Sequence, residues 1–81
     1  MYIDIADAEY VKNYVIWIKF SDGLEGEIDL EKELYGEVFE PLKDLNYFKD
    51  FEIHPELRVL SWSNGADFAP EFIYEKIKEA A

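Results

Sequence analysis

In the run Tyr14-Val15-Ile16-Trp17-Ile18-Lys19-Phe20 every residue except Lys19 is β-branched or aromatic, a composition that favours extended backbone. Ile16, Ile18 and Phe20 then fall on one face and Val15, Trp17 and Lys19 on the other. The run therefore reads as a strand with at least one buried face. Ser21-Asp22-Gly23 supplies a tight turn, because Gly accepts the positive φ that such loops need. Beyond it Leu24, Gly26, Ile28 and Leu30 alternate with Glu25, Glu27 and Asp29, the pattern of a strand with one apolar and one wet face. The segment from Tyr2 to Val11 alternates more loosely, with Ile3 and Ile5 on one side and Tyr2 and Asp4 on the other. Together these segments predict a meander of three strands.

From Leu30 the period changes. Leu30, Leu34 and Tyr35 fit a short helical turn that Asp29 caps and Gly36 ends. Pro41 opens a second short helix carrying Leu42, Leu45 and Phe48 on one stripe, with proline at a position where its missing N–H costs nothing. Phe51-Glu52-Ile53 and Leu57-Arg58-Val59-Leu60-Ser61-Trp62 read as a second hairpin around His54-Pro55-Glu56. Asn64-Gly65 turns the chain again, and Pro70 starts a terminal helix with Ile73 and Ile77 one turn apart. Hairpins followed by helices, without a βαβ rhythm, predict a small α+β fold: an antiparallel sheet built from hairpins, short helices and a C-terminal helix. No linker or repeat interrupts residues 1–81, which are expected to form a single domain. A chain of 81 residues buries only about 60% of its unfolded surface. Without cysteine to staple it, the six Phe, six Tyr and two Trp must supply much of the core.

The 19 acidic and 8 basic residues give a formal net charge of -11. That balance opposes direct binding to a nucleic-acid backbone and favours solubility or a basic protein as partner. The acidity is concentrated in residues 22–40, where eight carboxylates face Lys32 alone. Glu25, Glu27 and Asp29 project to the same side of a regular strand with about 6.5–7 Å between neighbours, too wide for one ion. The segment also lacks the acidic spacing of a calcium loop. No metal and no cofactor are expected. The single histidine, His54, precedes a proline in a turn, with no nucleophile or orienting group placed beside it, so no catalytic residue is assigned and enzymatic activity is not expected. Glu25, Glu27, Asp29 and Glu31 read either as a solvated strand face or as the candidate partner-binding carboxylates, steering a positively charged surface onto this one or mimicking a nucleic-acid backbone. No apolar run approaches the roughly 20 residues that cross a bilayer. The amino end, Met1-Tyr2-Ile3-Asp4, lacks the basic and then apolar pattern of a signal peptide. A cytoplasmic protein with no membrane contact is expected.

Trp62-Ser63-Asn64-Gly65-Ala66-Asp67-Phe68-Ala69-Pro70-Glu71 concentrates a large aromatic, an Asn-Gly turn, an acid and a helix-opening proline in ten residues. Two readings apply to it. In the architectural one, Asn64-Gly65 turns the chain, Asp67 accepts backbone N–H groups of the oncoming helix, and Trp62 and Phe68 cover the junction. In the recognition one, Trp62 is an anchor for a partner, with Asn64 and Asp67 as polar contacts.

The same residues carry a resemblance. Phe20-Ser21-Asp22-Gly23, Gly26-Glu27-Ile28-Asp29-Leu30, Gly36, Phe39, Pro41-Leu42, Phe48 and the Trp62 to Glu71 stretch with Tyr74 resemble the bacterial family known as Domain of Unknown Function 2442, nearly end to end. The most specific piece is the arrangement Trp-x-Asn-Gly-x-Asp-x-x-Pro-Glu-x-x-Tyr. Ser63 stands where the family often has proline. The resemblance implies a small α+β domain of unsettled function with no catalytic residues to carry over. It also implies a setting, since such domains occur alone, fused to DNA-binding helix-turn-helix segments, or beside another small protein in arrangements suggestive of toxin–antitoxin pairs. Ending at Ala81, the chain is expected to be the standalone form. The resulting expectation is a non-enzymatic interaction module, an acidic antitoxin-like partner of a small basic protein. The alternative is a small-ligand sensor whose pocket is lined by aromatics near Trp17 and Trp62. Self-association is left open, since exposed sheet edges favour it and dense negative charge opposes it.

Overall fold

The alternation in the 14–20 run becomes strand β2 (Val15–Phe20), with Ile16, Ile18 and Phe20 buried. The computed structural model describes residues 3–80. β2 is the central strand of an antiparallel meander, between β1 (Ile5–Lys12) and β3 (Glu25–Asp29). The turn uses the chemistry the sequence announces. Gly23 has φ 97°, the Phe20 N–H donates to the Leu24 carbonyl at 2.8 Å, and the Asp22 carboxylate accepts the Leu24 N–H at 3.0 Å.

The first strand was expected to begin at Tyr2, which lies outside the described residues. Its loose alternation has a cause: the register between β1 and β2 shifts twice, between Ile5 and Asp7 and again between Tyr10 and Lys12. Each irregularity inserts a residue and re-aims those that follow. Ile5, Ala8 and Tyr10 consequently meet Phe20, Ile18 and Ile16, and Asp7 and Glu9 turn to solvent.

The second sheet has three short strands, β4 (Glu52–Ile53), β5 (Leu60–Ser61) and β6 (Asp67–Phe68), in the order β4-β5-β6. β5 starts at Leu60 and not at Leu57, because residues 55–58 are consumed in closing the turn. His54 Nδ1 accepts the N–H groups of Glu56 and Leu57. The Arg58 N–H donates back to the His54 carbonyl at 2.8 Å, and Arg58 reaches φ 56°. The Arg58 carbonyl then accepts the Ile5 N–H, joining the edge of the first sheet to this loop. β6 has no counterpart in the expectation, since two residues are too few to show a period.

The helix expected from Pro41 through Phe48 forms as two pieces, a 3-10 turn over Glu40–Lys43 and helix α1 (Leu45–Phe48). Asp44 separates them at ψ 115° and caps the second by accepting the Asn46 N–H. The break leaves Leu42 and Phe48 in the core and Leu45 exposed. Asp29 accepts the Glu31 N–H, as the sequence suggests, but the 3-10 turn that follows covers only Glu31–Glu33 and stops short of the expected end at Gly36. Helix α2 (Pro70–Ala80) buries Ile73 and Ile77. One continuous core results, drawing Ile5, Ile16, Ile18 and Phe20 from the first sheet, Leu60 and Phe68 from the second, and Phe48 and Ile73 from the helices. Full burial of each such side chain contributes about 1.5–3 kcal/mol before the entropy of ordering the chain is charged against it. The outcome is an α+β domain.

Candidate functional site

Because Ile16, Ile18 and Phe20 turn inward, the intervening residues of three paired strands share one solvent face. Across it Asp7, Lys19 and Glu25 lie in one cross-strand row, and Glu9, Trp17 and Glu27 in the next; Lys12, Val15 and Asp29 form a third. Glu25, Glu27 and Asp29 are all exposed, as is Glu31 just beyond the strand. Glu25, Glu27 and Asp29 are therefore brought together on one face, with Glu31 exposed two residues beyond it. The row through Trp17 was not singled out, although the period-two pattern contained it. The indole is partly exposed and sits between two carboxylates in register. The ion pair found among the described residues, Lys43 with Glu40 at 3.2 Å, lies elsewhere. Lys19 stands in register between Asp7 and Glu25 without a close ion pair to either, and in solvent the field of the remaining acids reaches about one Debye length, roughly 8–10 Å at physiological salt. Among the described residues, no set of three His, Asp or Glu side chains is arranged to hold a metal ion, and no helix is long and apolar enough to cross a membrane.

The loop after β5 is different in character. Trp62 is 3% exposed and packs against Phe48, Phe51 and Phe68. Its Nε1–H donates to the Phe48 carbonyl at 2.9 Å. Burying the indole requires such an acceptor, since an unpaired N–H in the core costs about 1–3 kcal/mol. Trp62 is thus a core residue and not a presented anchor. Asn64 is exposed but committed: its Nδ2 donates to the Val38 carbonyl at 2.9 Å and its Oδ1 accepts the Ala66 N–H at 3.0 Å. It ties the tight turn to the 31–44 segment. Asp67 sits in β6 opposite Ser61. Its carboxylate makes no hydrogen bond to another described residue, so the expected capping of α2 by Asp67 is not what it does; the strand directs that side chain to solvent.

Sequence reasoning missed a second feature. Tyr35, Phe39, Phe68 and Phe72, with Glu33, line an open groove of about 250 Å³. Phe39 and Phe72 both pack against Phe68, with ring centroids 4.9 and 5.8 Å from it, and Tyr35 is 69% exposed. The contributors come from separate stretches of chain, so no local spacing announces them. Trp17 lies on the outer sheet face and Trp62 in the core, and neither lines this groove.

Residues 5–79 match the family model described as protein of unknown function (DUF2442). The chain belongs to that family. No curated protein and no solved structure matches it. Within this DUF2442 domain the remaining members of the Trp-x-Asn-Gly arrangement also have places. Gly65 takes φ 93° in the turn, Pro70 is buried at the start of α2, and the Tyr74 hydroxyl donates to Asp22 Oδ2 at 2.6 Å. That last bond joins the first hairpin turn to the terminal helix. The Tyr74 hydroxyl, followed by the Leu24 N–H, holds the Asp22 carboxyl below its ordinary value. Acceptance by Asp22 in turn raises the Tyr74 phenol.

Proposed function

We propose that this chain is a protein-interaction module that docks a basic protein on the outer face of its first sheet and performs no bond-making step of its own. The observation that carries the reading is the row Glu9, Trp17, Glu27. An indole flanked by carboxylates is suited to receive a lysine or arginine, because the ring face attracts the cation and the acids pair with it. Asp7, Glu25, Asp29 and Glu31 around that row add the long-range field that speeds encounter. An antitoxin-like role toward a small basic protein in the bacterial cytoplasm fits the charge of -11. The test is titration of the chain with a lysine-rich peptide. Trp17→Ala is expected to weaken binding about tenfold, and the wild-type affinity is expected to fall steeply with added salt. Unchanged affinity in the variant would remove Trp17 from the role.

The alternative, a small-ligand sensor, draws on the aromatic groove of Tyr35, Phe39, Phe68 and Phe72. Its volume lies below the roughly 300–1,000 Å³ of typical small-molecule sites, which restricts the ligand to one ring. Thermal stabilisation by a single-ring aromatic metabolite, lost in Phe72→Ala, would favour it.

A further inference from the structure

β3 pairs with β2 on one side and, among the described residues, with no strand on the other. Its hydrogen-bonding phase is fixed at both ends: the Phe20 N–H donates to the Leu24 carbonyl, and the Leu30 N–H donates to the Tyr14 carbonyl. Even-numbered residues therefore address β2. By the alternation of an antiparallel ladder, Glu25, Glu27 and Asp29 turn their N–H and C=O groups toward the open side. These are the residues whose carboxylates stand on the outer face. Beside this edge an open groove of about 210 Å³ is lined by Glu25, Gly26 and Glu27 of β3 and by Ile77 and Ala80 of α2. Ile77 itself packs over Gly26 and forms one wall of it.

We propose that the open edge of β3 takes up an extended segment of a basic protein as a fourth strand. Lysines or arginines at alternate positions of that segment face Glu25, Glu27 and Asp29, and aliphatic side chains between them enter the groove against Ile77 and Ala80. The inference rests on the basic-partner reading above and specifies how the partner is held. Main-chain hydrogen bonds to an exposed edge supply affinity, and alternate side chains supply specificity. Charge selects the occupant. Opposite charges facing each other across strands are favourable and like charges are not, so a second copy of β3 is repelled by its own carboxylates. A neutral strand gains nothing from them, which is how charged edges resist indiscriminate pairing.

The probe is a short capped peptide alternating lysine and valine, titrated into the full chain and followed by amide and methyl NMR. Two relatives carry N-methyl groups, one on every lysine amide and one on every valine amide; a third has the lysines and valines in separate blocks. A docked strand offers only one of the two sets of N–H groups to β3. One methylated peptide is therefore expected to bind at least about tenfold more weakly, with the other within about twofold of the parent. Shift changes should concentrate at Glu25, Glu27, Asp29 and the Ile77 methyls. Equal binding by both methylated peptides and the block peptide would overturn strand addition while leaving the basic-partner reading standing. No binding by any of them would overturn both. Glu27→Pro removes an N–H that points away from β2, so the ladder survives, as near-UV circular dichroism will report. A folded Glu27→Pro chain that binds as well as Glu27→Gln would also overturn strand addition.

Discussion

Gly26 and Ile77 meet where α2 crosses β3, so closely that a β-carbon at position 26 would sit 2.8 Å from Ile77 Cγ2. The helix can lie this near the sheet only because residue 26 has no side chain. Ile77 is part of the core, so any shift that relieves the contact disturbs its packing.

Gly26→Ala is accordingly expected to destabilise the fold by about 1–3 kcal/mol through overpacking, a fall of roughly 5–20 °C in Tm for a domain this small. Ile77→Leu removes the offending branch methyl. The double variant should be more stable than the two single effects predict when summed, and thermal unfolding of all four chains provides the cycle.

Tyr74 and Asp22 form a bond whose two shifts have opposite pH consequences. The carboxyl of Asp22 is depressed, chiefly by the Tyr74 hydroxyl. Its contribution is present above the unfolded carboxyl pKa and is lost as pH falls through the lower folded value. The phenol of Tyr74 is raised, chiefly by donating to Asp22. Its contribution is present below the unfolded phenol pKa and is lost as pH rises through the higher folded value. In Tyr74→Phe, NMR titration should find the Asp22 carboxyl moved back up toward its ordinary value. An unmoved titration would mean that the hydroxyl does not bind there in solution.

Trp62 and Trp17 should behave as two different fluorophores. With Trp17→Phe, the remaining emission from buried Trp62 should be blue-shifted and poorly quenched by acrylamide; with Trp62→Phe, the emission from Trp17 should be red-shifted and readily quenched. Trp62→Phe also leaves the Phe48 carbonyl without its donor, costing about 1–3 kcal/mol by the penalty for a buried unpaired group. Trp17→Phe should leave stability within about 0.5 kcal/mol, as expected of a surface change.

Asn64→Asp keeps an acceptor for the Ala66 N–H but cannot donate to the Val38 carbonyl. The turn should survive and the tether to the 31–44 segment should loosen. A cost of about 0.5–1.5 kcal/mol is expected from the lost hydrogen bond, with faster amide exchange in that segment than in β1 to β3.

The parts legible in the sequence are those whose signal is local. Period-two alternation from Tyr14 to Leu30 with Ser-Asp-Gly between gives the first hairpin and places Glu25, Glu27 and Asp29 on one exposed face. Ile73 and Ile77 give the buried stripe of α2. What is not legible depends on contacts distant in the chain. The acceptor that lets Trp62 be buried is the Phe48 carbonyl, and no pattern near Trp62 announces it. The groove joins Tyr35 and Phe39 to Phe68 and Phe72 only after folding. Strand irregularities in β1 blur the very alternation that would reveal it, and the two-residue strands of the second sheet are too short to have one.

The most direct measurement is the affinity of a lysine-rich peptide for two variants with the same net charge. One neutralises the sheet surface, E25Q/E27Q/D29N/E31Q, and the other neutralises four exposed acids elsewhere, E37Q/E52Q/E56Q/E71Q. The sheet variant is predicted to bind about tenfold more weakly than wild type while the other stays within about twofold, both remaining folded. Equal losses in the two, or full binding by the folded sheet variant, would contradict a docking surface on the first sheet.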